Sequence, residues 1–136
     1  MSARDGMVAA AVAAVFSGAP STVWNLVTGD SVLASTEAAG TLLVRRDASR
    51  VRLVLAGGAA HVAISLWWAQ VLTRILPRRH PILAGAAAGA AIAAFDLGVV
   101  GRRYPAIRAL PVAPQLADHL AFGALVGAVI SRRLGR

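Results

Sequence analysis

ILAGAAAGAAIAAFDLGVVG, residues 82–101, decides the fold class. Asp96 is the single ionisable side chain in the run, and apolar and polar positions do not alternate. A helix rises 1.5 Å per residue, so about 20 such residues cross the ~30 Å hydrocarbon core of a bilayer. The segment must be helical there, because hydrocarbon satisfies no exposed backbone amide or carbonyl.

Three further runs have the same character: about 7–28, about 51–76, and 115–133, the last being firmly apolar only to Ile130. The chain has 136 residues, enough for one domain. It is 57% hydrophobic, and 15% of its residues are charged against roughly a quarter in soluble proteins. Mean hydropathy is +0.66. The expected fold is all-α: an integral membrane four-helix bundle forming one transmembrane domain over 1–136.

Every one of the 14 basic residues is Arg, and the net charge is +8. Such a charge in a soluble protein would point to nucleic acid. Here the arginines flank the apolar runs, where they meet anionic headgroups. The expected partner is the lipid bilayer, not nucleic acid. Arginine without lysine, with abundant Ala, Gly and Pro, suggests GC-rich codons and a bacterial cytoplasmic (inner) membrane. The absence of Cys removes disulfides and thiolate chemistry.

Four spans place the N-terminus, the second loop and the C-terminus on one side. That side holds Arg4, Arg74, Arg78, Arg79, Arg132, Arg133 and Arg136. The other holds Arg45, Arg46, Arg50, Arg52, Arg102, Arg103 and Arg108. The two sets are equal, so the positive-inside rule gives no orientation. An even number of spans favours cytoplasmic termini as a general preference.

Arg4 before the apolar stretch Val8–Phe16 resembles the start of a signal peptide. Pro20 directly after Ser17-Gly18-Ala19 opposes cleavage, and hydrophobicity resumes beyond it, so a retained helix is expected. Pro20 cannot donate to the Phe16 carbonyl and Gly18 loosens the same turn. The first helix should kink or break at Gly18 and Pro20. That break is either a simple proline kink or a half-helix N-terminus suited to an anion or substrate. In the first loop, Val32, Leu33, Thr36, Ala39 and Leu43 share a helical face. The segment is too short to span and suits an interfacial amphipathic helix ended by Arg45-Arg46-Asp47, or a docked loop.

Helices in hydrocarbon associate through close backbone approach and interhelical hydrogen bonds. Gly85 and Gly89, Gly123 and Gly127, and the run Gly57-Gly58-Ala59-Ala60 offer small-residue grooves for a neighbour. Trp67, Trp68 and Arg74 read as an interfacial anchor, with Trp24 and Tyr104 at the other end.

The polar residues share faces with these grooves. Asp96 continues the stripe Gly85, Gly89, Ile92, and His119 begins the stripe Gly123, Gly127. His61 lies one turn from Gly57 and from Ser65, while Ser17, Ser21 and Asn25 line one face of the first helix. Asp96 sits about 21 Å along its helix, and Asp118 and His119, entering from the opposite surface, reach a similar level. A candidate cluster for helix pairing, or for a proton or ligand, therefore comprises His61, Asp96, Asp118, His119 and Asn25. Three readings stand open: a structural Asp96–His119 pair, a proton- or ligand-handling group, and a divalent metal site. No pair among the four ionisable residues has the three- or four-residue spacing that metal ligands on one helix use, so no metal and no cofactor is expected. Asp118 is also suited to capping the fourth helix.

Phosphate-binding glycine loops, nucleophile elbows and metalloprotease motifs are absent, so no catalytic residue and no enzymatic activity is assigned. The leading expectation is a small polytopic membrane protein acting by association, as an accessory subunit or homo-oligomer. The alternative is a transport or proton-coupled protein using the Asp/His cluster.

The strings SGAPST (17–22), STEAAGTLL (35–43), FDLGVVGRRYPAIRALP (95–111) and QLADHLAFGALVG (115–127) resemble a family of small four-helix bacterial inner-membrane proteins with no assigned activity. The resemblance implies a multi-helix bundle. It also marks the segments around Asp96, Asp118 and His119 as part of the recognisable pattern.

Overall fold

A computed structural model describes residues 2–135, and every regular element among them is helical. Ser2 and Asp5 form a reciprocal capping box that starts α1 (Ala3–Phe16). A turn at Ser17 and Gly18 divides the first apolar run. α2 (Ala19–Thr28) then begins with Pro20 in its first turn, where a missing N–H costs nothing. It ends at Gly29, whose φ of 78° is the left-handed conformation that terminates helices.

A short helix, α3 (Ala34–Gly40), follows. Ser49 caps α4 (Arg50–Ile75) by accepting from the Arg52 amide, and Leu76, forced extended by Pro77, ends it. α5 (Pro81–Phe95) starts on its own proline. It runs into a π-helical turn, Asp96–Val100, closed by the Gly101 N–H donating to the Asp96 carbonyl. α6 (Gly101–Arg103) and α7 (Pro105–Arg108) are single turns before α8 (Val112–Leu134).

Four helical stretches are long and apolar enough to cross a membrane: Ala3–Thr28, Arg50–Ile75, Pro81–Arg103 and Val112–Leu134. They agree with the expected runs to within a few residues. They alternate in direction. α8 and the α1–α2 stretch lie inside, with α4 packed on α1 and α5 packed on α8. The shared core is small: Ala9, Ala10 and Ala13 of α1 meet Ala69 and Leu72 of α4 and Ile92, Phe122, Val126 and Ile130 of α5 and α8.

α5 and α8 mate glycine to glycine. A Cβ on Gly85 would strike the Gly123 carbonyl, one on Gly123 the Gly85 carbonyl, one on Gly89 the His119 carbonyl, and one on Gly127 the Pro81 carbonyl. Both expected grooves are thus used, on each other. The third is used differently. Gly57 admits the backbone of α3 at Thr36, not that of another long helix, and Gly40 in turn lies against the Leu53 carbonyl. In α3, Ala38 and Gly40 are buried, whereas Val32, Leu33 and Leu43 on either side of it stay exposed. The expected anchor also divides: Trp68 packs against the core and Trp67 is 66% exposed.

Candidate functional site

α8 carries the site. Its residues 115–119 face both inner and outer neighbours near the end shared with α2 and α3. His119 Nε2 lies 3.1 Å from Asp96 Oδ2, and its Nδ1 lies 2.7 Å from the Gln115 carbonyl oxygen. A carbonyl only accepts, so Nδ1 carries a hydrogen and donates to it. A hydrogen bond between Nε2 and Oδ2 then requires one further proton, on either atom. That proton makes either an imidazolium–carboxylate or a neutral imidazole–carboxylic acid, and the pair is neutral overall in both forms. The two side chains are 21% and 28% exposed, so the pair is not sealed from its surroundings.

Asp96 owes its position to the π-helical turn it opens. Such turns insert one residue into the helical repeat and occur frequently at functional sites. His119 can reach across because Gly89 lets the α8 backbone come into contact at that level.

The neighbouring carboxylate faces the other way. Asp118 Oδ1 accepts from the Ser21 backbone N–H at 2.9 Å. Ser21 is in the first turn of α2, whose cap residue Gly18 has no side chain to satisfy the free amides. Asp118 therefore does from another helix what a capping side chain normally does, aided by the partial positive charge of the helix start. The Ser21 and Thr22 hydroxyls donate to the Gly18 carbonyl, closing the turn. The first-turn amide that follows Gly18 and Pro20 is thus satisfied by a carboxylate of the same chain.

His61 is exposed and its Nε2 lies 2.9 Å from the Ala14 carbonyl, in the last turn of α1 where intrahelical donors run out. Its contact is structural, although it remains within electrostatic reach of Asp118, as does His119. Buried Asn25 stands one turn beyond Ser21 and donates to the Ser31 carbonyl, bracing the first loop. Among the described residues no three His, Asp or Glu side chains gather closely enough to hold a metal ion.

Gln115 is the participant that sequence reasoning missed. Its carbonyl fixes the His119 tautomer while its buried side chain donates to Ser35 Oγ at 2.8 Å, tying α3 to α8. Its four-residue spacing from His119 was the available signal.

No protein-family model, curated protein or solved structure matches this chain.

Proposed function

We propose that this chain is a multi-pass protein of the bacterial inner membrane whose working site is the Asp96–His119 pair, acting as a one-proton couple in a proton-linked process. The membrane placement is supported by the outer surface. Val27, Leu83, Val15 and Leu55 are each more than two-thirds exposed, and large apolar side chains left uncovered on the first three of the four long helical stretches suit hydrocarbon rather than water. In that setting Ser17–Gly18 is the bend of the first span. α3 lies at the membrane interface with Val32 and Leu33 toward lipid.

The observation that carries the site is that both ring nitrogens of His119 face oxygen atoms. The pair can shift its shared proton between nitrogen and oxygen without changing its net charge, whereas releasing that proton leaves one negative charge, so turnover needs a water path to the pair. The test is reconstitution in liposomes loaded with a pH dye. The native chain should dissipate an imposed pH difference faster than Asp96→Asn, which keeps a hydrogen bond to Nε2 but removes the acid. A native chain indistinguishable from empty liposomes overturns the reading.

A second reading, association as an accessory subunit or homo-oligomer, is favoured by the exposed flanks. Only 17% of the most apolar window of α4 and 22% of that of the α5 stretch is buried. Native-membrane crosslinking that yields solely monomer would count against it.

A further inference from the structure

We infer that the groove between α5 and α8, together with Arg102, Arg103 and Arg108 at its mouth, is a binding site for one anionic phospholipid. An acyl chain would lie in the groove, with the phosphate on the arginines. The inference rests on the membrane placement proposed above and is independent of the proton chemistry of Asp96 and His119.

The groove has a volume of about 320 Å³ and is lined by Ala90, Ala94, Leu97 and Gly98 on one side and Val112 and Leu116 on the other. No polar side chain lines it, so it suits a hydrocarbon chain and nothing that needs hydrogen bonds. The last glycine contact on this side is Gly89 against the His119 carbonyl, and farther along a Cβ on Gly98 would meet nothing within 4 Å.

Cations follow in the chain. Arg102 and Arg103 close the helical stretch that carries Leu97 and Gly98, and Arg108 ends α7, just before the turn into α8. All three are exposed. Among the described residues the carboxylates are engaged elsewhere. Asp5 faces Arg133, Glu37 faces Arg50, Asp47 faces Arg45 and Asp96 faces His119. Asp118 accepts from Ser21 and Asp30 from the Thr28 hydroxyl. Three exposed guanidinium groups with no carboxylate partner among the described residues suit a phosphate, which arginine binds bidentately.

The opposite end of the same helix pair provides the contrast. There Gly127 packs on the Pro81 carbonyl and closes the interface, so Arg78 and Arg79 supply charge without a groove.

The test uses the purified full chain in detergent, with lipid retention read by native mass spectrometry and thermal stability read alongside. Phosphatidylglycerol should be retained about tenfold better than phosphatidylcholine, a preference of the size that a few basic residues at an anionic surface provide. The triple change Arg102→Gln, Arg103→Gln, Arg108→Gln should abolish the preference, and Arg78→Gln with Arg79→Gln should leave it intact. Gly98→Leu, which fills the groove and keeps every arginine, should reduce retention, and it decides the matter where the triple variant does not fold. Inorganic phosphate should not compete. Equal retention of the two lipids, equal loss in the Arg78/Arg79 variant, undiminished retention in Gly98→Leu, or displacement by free phosphate would each overturn the site. A chain that stays in solution without detergent would overturn the membrane placement itself, an outcome distinct from these.

Discussion

Asp118 and His119 are consecutive on α8 yet bond to different neighbours, Asp118 to the start of α2 and His119 to the π-helical turn after α5. Successive side chains diverge by roughly 100° around a helix of 3.6 residues per turn. One short piece of α8 therefore fixes its rotation against two partners at once. Rotating α8 to improve one contact would break the other. The result is a rigid junction where three helices meet near the polar group.

Asp96→Ala and His119→Ala should each destabilise the bundle by about 2 kcal/mol, the scale of a charge-assisted hydrogen bond with one partner left unmatched. The double change should cost less than the sum, because it leaves no orphaned group. Thermal unfolding in detergent measures the cycle. Additive losses would mean that the two side chains do not support one another.

Asp118→Ala should uncover the Ser21 amide and cost about 1 kcal/mol, as loss of a helix cap does. Asp118→Asn keeps an acceptor oxygen and should lose less. Hydrogen exchange at Ser21 reads the effect directly: faster exchange is expected in the alanine variant and little change in the asparagine variant. Identical exchange in all three proteins would refute the capping role.

Gly57 and Gly58 are adjacent and should respond in opposite directions. Gly57→Ala drives a methyl into the Thr36 carbonyl and should cost about 1–3 kcal/mol, the range for overpacking. Gly58 has open space around its Cβ position, so Gly58→Ala should stabilise by about 0.5–1 kcal/mol through the helix preference for alanine. Equal melting temperatures for the two variants would contradict the docking of α3 on α4.

Gly89→Leu and Gly123→Leu should lower the melting temperature far more than Gly135→Leu. The first two separate backbones in contact, whereas Gly135 is exposed in the tail and its Cβ would only graze the Ser131 carbonyl. A Gly135 variant as unstable as the others would remove the packing argument.

Reporter fusions in 45–49 and 104–111 should report the same side of the membrane, and fusions in 77–80 the opposite side. The alternating direction of the four long helices requires this if each spans. A split between 45–49 and 104–111 would show that one helix does not cross.

The four long apolar helices were legible from sequence because hydropathy over about 20 residues is a local property that needs no neighbour to interpret. The expectation of a kink at Gly18 and Pro20 was also local; the structure has a turn at Ser17 and Gly18, with Pro20 accommodated in the first turn of α2. Asp96 and His119 were foreseen as partners because each continues a glycine stripe, and the two stripes mate.

Only the tertiary structure decided which groove meets which. A glycine permits close approach by any backbone. Gly57 therefore received α3, and Gly85 received Gly123, according to which helices became neighbours. The same holds for the polar groups. Asp118 was suited to capping its own helix, but α8 begins earlier, at Val112, and Ser21 97 residues earlier became its donor once α2 had been placed against α8. Gln115 looked like the polar edge of a span until α3 brought Ser35 to its side chain. A single residue states what it can bond to. Its partner is set by the packing of every helix around it.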